Sequence, residues 1–399
     1  MKRKRAAKIN KSKPGGIIIG GHVQGLDIVR SLGNQNIPSI VVDTDISLAS
    51  KSKYCLASFR CPDYNSKAFL SFIINLAKKY DLKGWVLYPT NDFASYNISK
   101  NRNLLKDYFK FTVPPPDVFE VFYNKKTTIN LAQKCGVPYP KSWFPESLDD
   151  LNVIPVNSSL ILRGIEGLNF YKTFGKKVFL INNRNDLLKI SKLISSYNYD
   201  IKNIMVQERI PFNKNKRGFY FTSFAVEGEI KVFFIWEKLR EHPVRHGTST
   251  WCKSIDKPFL FEQSKDFIRE SGYTGVSEIE YLYDKYTKQY KIIEVNARTF
   301  LQTSLSRRSG VDYANLIYKY VNSIPIDYPD RYNSEQHWLH FWTDVFFGII
   351  GVIKKEYSLR ELLHPYFFIR NKEMAVFNRK DFAPFLWETI LLPYIAIRR

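Results

Sequence analysis

The chain has 399 residues, with 60 Lys and Arg against 38 Asp and Glu, a formal net charge of +22 and 44% hydrophobic residues. That length allows two or three domains with a sizeable core, and the hydrophobic content excludes a disordered polyelectrolyte. The positive charge points to polyanions, nucleotides or an anionic membrane surface, while no zinc-finger, basic-zipper or RNA-recognition motif singles out nucleic acid.

Four cysteines, Cys55, Cys61, Cys135 and Cys252, are scattered without a CxxC pair. This suits a reduced cytosolic protein and argues against a structural zinc site. His242 and His246 have a ligand-like spacing, but Pro243 lies between them and Gly247 follows, so they read as loop residues.

Residues 1–13 are basic and read as a mobile tail. No apolar signal-peptide core follows, because the run at 17–19 is too short. Residues 15–33 predict a strand, a glycine turn and a helix, and 37–45 a second strand, the opening of a doubly wound parallel sheet. Gly20 and Gly25 have Walker A spacing, but Leu26 and Asp27 stand where Lys and Ser or Thr are needed. His22 likewise replaces the second glycine of a dinucleotide fingerprint, so the glycines read as a tight turn. Apolar spacing predicts an amphipathic helix over 67–80. Residues 84–92 predict a strand ending in polar residues, where such sheets place their sites. Three prolines at 114–116 mark a boundary.

Residues 124–140 predict a helix ended by Gly136, with Pro138 and Pro140 beyond it. Residues 159–167 predict a strand entering a glycine-containing turn, 175–182 its hairpin partner, and a helix follows from Asp186. Next come a strand over 203–212 and a long β-hairpin over 219–242 turning at Glu227 and Gly228. A loop containing Gly247, Thr248, Ser249 and Thr250 then leads to a helix around 259–271.

Residues 276–284 and 292–298 predict the two strands of an antiparallel hairpin across a short polar loop. In the second strand Ile293, Val295 and Ala297 alternate with Glu294, Asn296 and Arg298. One face is thus buried, and the other carries a carboxylate, an amide and a guanidinium in a row. If the loop centres near Thr287, Glu280 falls opposite Glu294. Facing like charges are destabilising unless a divalent cation lies between them. Two carboxylates and an amide oxygen are hard ligands suited to Mg2+ shared with nucleotide phosphates. Taken alone, Glu-x-Asn-x-Arg reads first as an ordinary solvated strand face, and the facing carboxylate and the surrounding pattern reverse that reading. Residues 311–322 close the pattern as an amphipathic helix.

The order of these pieces resembles the ATP-grasp superfamily over residues 15–325. The most specific match is Glu280 with Glu294-Val295-Asn296-Ala297-Arg298. Supporting matches are Asn124-Lys125 with Gly136-Val137-Pro138, the strand at 161–164, and Gln207-Glu208-Arg209-Ile210. Within the superfamily the chain looks like carboxylate–amine ligases, with D-aspartate ligase and glycan-linked ligases as neighbours. The fold class implied is α/β: a doubly wound domain (14–115), an ATP-grasp α+β pair (116–325) and an aromatic-rich C-terminal extension (326–399). The resemblance implies ATP and Mg2+ (or Mn2+) as cofactors and small carboxylate and amine substrates, amino acids or glycan-linked acids. It matches Lys125 and Arg163 to cations on the ATP phosphates, and Glu208, Arg209 and Ile210 to the adenine hinge. It matches Glu280, Glu294 and Asn296 to the metal ligands, and Arg298 to the catalytic guanidinium that holds the carboxylate or acyl phosphate. The family usually has Lys where Arg163 stands, and guanidinium differs from ammonium in being planar and bidentate. Lys172, Lys176 or Lys177 could alternatively supply that charge, although each also reads as surface charge.

Amide formation through an acyl phosphate is the activity this resemblance implies, with residues 243–250 as a candidate lid against water. The rivals are an ATP-grasp enzyme with a different acceptor and a nucleotide-binding protein without turnover. Residues 326–399 combine dense Trp, Phe and Tyr with Lys and Arg. Packing onto the catalytic domain is the first reading of that segment, and peripheral contact with a membrane or glycan is the sharper one. Its longest apolar run, 345–353, is too short to span a bilayer.

Overall fold

The computed structural model describes residues 13–211, 218–242 and 247–398, the side chains of Leu168 and 393–398 excepted. Residues 1–12 of the basic tail, the end of the strand expected to reach 212, and the half of the candidate lid at 243–246, His246 included, lie outside the described residues.

The chain opens with β1 (Gly16–Ile19), α1 (Val23–Asn34), β2 (Ser39–Asp43), β3 (Cys55–Arg60), α2 (Lys67–Tyr80), β4 (Trp85–Pro89), α3 (Asp92–Lys100) and β5 (Phe109–Lys110). The five strands form one parallel sheet in the order β3-β2-β1-β4-β5. Alternate residues feed its two faces: Ile17, Ile19, Ile40 and Val42 join one core, Ile18 and Val41 the other. Both faces are therefore covered, as parallel sheets require. α2 starts where the Ser66 side chain accepts from Phe69 N and ends where Asp81 turns left-handed at φ 56°. Gly20 has φ +95°, and a Cβ there would meet Thr90 Oγ1 at 2.3 Å. The glycine turn is thus forced by backbone geometry and close packing.

After α4 (Pro116–Tyr123) and α5 (Lys125–Lys134) comes a four-stranded antiparallel sheet, ordered β6-β9-β7-β8. It is built from β6 (Ser142–Trp143), β7 (Leu160–Gly164), β8 (Phe179–Ile181) and β9 (Ile204–Glu208). β7 and β8 pair as expected. Their connection is not a glycine-containing turn but α6 (Gly167–Phe174), which buries Phe170 against Phe174, Phe179 and Tyr199. α7 (Arg184–Ser196) follows, capped by Asn183.

The third sheet has seven strands, ordered β14-β13-β10-β11-β12-β15-β16. Its members are β10 (Phe219–Val226), β11 (Glu229–His242), β12 (Thr248–Ser254), β13 (Gly275–Asp284), β14 (Gln289–Asn296), β15 (His337–Leu339) and β16 (Lys372–Met374). α8 (Pro258–Ser271), α9 (Thr303–Arg308) and α10 (Tyr313–Val321) lie between these strands in the chain. Two expectations fail here. Residues 248–250 are strand, not loop: Thr250 is buried and donates to Asp344 Oδ1 at 2.6 Å. That fixed position removes them from any mobile lid. His242, expected in a loop, ends β11 with its ring stacked on Phe347.

Residues beyond 326 add β15 and β16 to this sheet, with Trp338 fully buried. They also form α11 (Phe341–Ile353), α12 (Leu359–Phe367) and α13 (Ala383–Arg398). Among the described residues no helix is long and apolar enough to cross a membrane.

Candidate functional site

A cavity of about 800 Å³ opens between the four-stranded sheet, the seven-stranded sheet and the C-terminal edge of the parallel sheet. All nine residues singled out in the sequence line it: Lys125, Arg163, Glu208, Arg209, Ile210, Glu280, Glu294, Asn296 and Arg298. Of the three lysines near Arg163, Lys177 reaches the cavity, whereas Lys172 lies over the Phe93 ring and Lys176 over Phe179.

The β13–β14 hairpin sets the acidic wall. Glu280 pairs with Glu294 in register, as the turn position predicted. A bulge follows, so that Tyr281 pairs with Ile292. The bulge changes which residues face inward: Ile292, Val295 and Ala297 join the core, while Ile293 turns toward the cavity. Strict alternation through Ile293 therefore fails, because a bulge inserts one unpaired residue.

The two facing carboxylates avoid each other by taking separate partners. Glu294 accepts from Lys125 Nζ at 3.0 Å and lies 3.6 Å from Arg163 Nη2. Glu280 accepts from the Tyr220 hydroxyl at 2.8 Å and lies 4.0 Å from Lys238 Nζ. Burial alone would raise the Glu294 carboxyl, but the charges of Lys125 and Arg163 outweigh it and bring it down to about 2. Burial lowers the Lys125 ammonium in turn, with Glu294 opposing that effect. Lys125 sits in the first turn of α5, directly after the Asn124 cap. Lys238 is buried and paired with Glu241 at 2.8 Å. Tyr220 is held by stacking on Trp236, ring centroids 3.8 Å apart.

Arg298 is not a free guanidinium. Its Nε donates to Asp92 Oδ1 at 2.6 Å and its Nη2 to Asp92 Oδ2 at 3.3 Å. Asp92 opens α3, whose Asn91 cap accepts from Ala94 N. This two-point clasp ties the parallel-sheet unit to the acidic hairpin. Elsewhere on the cavity wall, Glu208 N donates to Lys141 O and Arg209 N to Ser159 O, so these two N–H groups are already engaged.

Sequence reasoning missed Glu278, Lys238, Tyr220 and the role of Asp92. Glu278 had a signal, since it lies two residues before Glu280 and so shares its strand face. Its Oε1 accepts from Asn296 Nδ2 at 3.3 Å, and its Oε2 is buried with no hydrogen-bond partner among the described residues. Burial raises this carboxyl to about 8, against the pull of Arg298. Lys238 and Tyr220 carry no spacing that separates them from ordinary strand residues.

The donor set fits a divalent cation shared with phosphate. Among the described residues no three His, Cys, Asp or Glu side chains form a ready cation cage. Glu280 and Glu294 nonetheless bring two hard oxygen donors to one place on adjacent strands, with Asn296 beside them and the orphaned Glu278 oxygen behind. Mg2+ is commonly held in this way, by one or two carboxylates with phosphates completing the shell.

Comparison with known proteins agrees with this layout. Residues 249–327 match the family described as carbamoyl-phosphate synthase L chain, ATP binding domain. A D-aspartate ligase from Enterococcus faecium is 21% identical over 262 residues, 62% of this chain and 62% of that enzyme. The aligned region thus spans less than two thirds of this curated relative. An L-amino acid ligase from Bacillus licheniformis superposes with a TM-score of 0.60 at 14% identity, covering 78% of this chain and 75% of that one. An ADP complex of N5-carboxyaminoimidazole ribonucleotide synthetase superposes at 0.64 with 15% identity, covering 86% and 85%. The chain has the ATP-grasp fold, and it resembles the carboxylate–amine ligases of that superfamily.

Proposed function

We propose that the protein is an ATP- and Mg2+-dependent carboxylate–amine ligase, ADP-forming, that makes an amide through an acyl phosphate. One observation carries the reading: a single cavity is lined by the cations Lys125 and Arg163, the facing carboxylates Glu294 and Glu280, and the Arg298 guanidinium. Cations for the triphosphate, acids for the metal and a guanidinium for the carboxylate are the charges such a transfer needs around one cavity.

In this reading the base meets the Glu208–Ile210 hinge, and Lys125 and Arg163 hold phosphate oxygens. Glu280, Glu294 and Asn296 would hold Mg2+, with Mn2+ as a substitute, and the metal would offset the repulsion between phosphate and an attacking carboxylate. Arg298 takes the oxygens that gain charge when the acid attacks and when the amine displaces phosphate. For that, a substrate carboxylate must share or displace Asp92 on the guanidinium. The names of two relatives, D-aspartate ligase and L-amino acid ligase, support an amino acid as one substrate. The four free cysteines suit a reducing, cytoplasmic setting.

The test is ADP release with ATP, Mg2+ and a pooled set of amino acids, followed by mass spectrometry for amide products. ADP together with a new amide supports the reading. ADP with only a carboxylated or phosphorylated product points to another ATP-grasp acceptor. ATP binding with no ADP under any pool leaves a nucleotide-binding protein.

A further inference from the structure

We propose that the outer face of the three C-terminal helices is a docking surface for an anionic lipid bilayer. The observations lie outside the cavity and do not depend on the ligase reading. Nearly half of the exposed large hydrophobic side chains among the described residues fall between 346 and 390. They are ordered, not scattered. On α11, Phe346, Ile349 and Ile353 recur at one-turn spacing, opposite the buried Asp344, Gly348 and Gly351. On α12, Leu359, Leu363 and Phe367 do the same, with Phe368 beside them. On α13, Leu386 and Ile390 continue the stripe that begins at Phe382. Ile353 and Phe367 are each 74% exposed and Phe368 is 70% exposed, unusual values for such side chains.

The three helices touch. Gly348 of α11 faces Leu362 of α12 so closely that an added Cβ would fall 2.2 Å from it. Trp342 of α11 stacks on Phe385 of α13 and donates to Thr389 Oγ1 at 2.9 Å. The stripes therefore lie on helices that pack on one another.

Charge selects the occupant. The acids of this segment are largely turned inward: Asp344 pairs with Arg240, Asp381 with Arg30, Glu388 with His340, and Glu373 lies near Arg307. Among the described residues of the three helices and their connections, the exposed charges are Lys354, Lys355, Arg360, Arg370, Arg379 and Lys380, against Glu356 and Glu361. An apolar face rimmed by cations is complementary to acyl chains below anionic headgroups. A second copy would bring the same cations against each other, which opposes self-pairing.

The test is co-sedimentation of the full chain with vesicles of phosphatidylcholine alone or mixed with phosphatidylglycerol, at low and high salt. We expect binding to the anionic vesicles that weakens with salt. Combined Phe367→Ser and Phe368→Ser replacement should weaken it by at least about tenfold, since each ring loses its apolar burial. Lys354→Glu with Lys355→Glu should weaken it as well. All these side chains are exposed, so circular dichroism should show unchanged folding. Absence of vesicle binding by the folded full chain would overturn the proposal. So would binding that survives loss of both Phe rings, which would be plain polyanion attraction. A dimer in sedimentation velocity that the Phe replacements dissociate, without vesicle binding, would assign the face to a second copy.

Discussion

Glu294→Gln separates the charge arrangement seen here from a simple facing-acid picture. From sequence alone, removing one of two opposed carboxylates should leave the unliganded fold untroubled. The structure says otherwise, because Glu294 neutralises Lys125 at 3.0 Å and Arg163 at 3.6 Å. An exposed ion pair is worth about 0–1 kcal/mol, while breaking a buried one costs about 3–5 kcal/mol. The Lys125 side chain is 7% exposed and that of Glu294 37% exposed. Solvent thus screens one partner and not the other, which places the loss at about 1–3 kcal/mol. Urea unfolding at pH 7 without nucleotide or metal measures it. The same variant should bind metal-free ATP more tightly, since Glu294 no longer competes with phosphate for the two cations. Its Mg2+-dependent turnover should vanish. Unchanged stability together with unchanged metal-free ATP binding would refute the charge argument, and near-normal turnover would remove Glu294 from the metal site.

Three further outcomes follow from the same geometry. Arg163→Ala should raise the ATP concentration needed for half-maximal rate, and Arg163→Lys should retain much of the activity if only a cation is required; unchanged ATP dependence in the Ala variant would move the role to Lys177. Asp92→Asn should loosen the clasp on Arg298 and lower stability by about 1–3 kcal/mol, read by urea unfolding against the parent chain. With metal chelated, stability should fall as pH rises from about 4.5 to about 8, because buried Glu278 holds a proton that the unfolded chain has already released. Glu278→Gln should flatten that slope, and an unaltered slope would show that Glu278 is not its source.

Local signals carried much of the fold into the sequence. The helix over 67–80 was legible because its apolar spacing coincides with a Ser cap and a left-handed stop. The acidic hairpin was legible because alternation and a short polar loop fix the register, and Glu280 does face Glu294. The failures are long-range. Residues 248–250 read as loop because they are polar, yet Thr250 is satisfied by Asp344, 94 residues away. The bulge at Ile293 is a packing adjustment with no residue-level signature. The Arg298–Asp92 clasp joins residues 206 positions apart, so a guanidinium that looked free in sequence is already engaged. Nine residues lining the cavity were legible from spacing and resemblance, whereas Lys238 and Tyr220 acquire their place only through strand pairing.

The central claim is tested most directly by following oxygen. The chain is incubated with ATP, Mg2+ and pooled amino acids whose carboxylates carry 18O, and the released phosphate is analysed by mass spectrometry. An acyl phosphate requires one carboxylate oxygen to leave with phosphate, so the account predicts 18O-labelled phosphate in step with ADP and a new amide. ADP accompanied by unlabelled phosphate would mean that water, not a carboxylate, attacks ATP, and would contradict it.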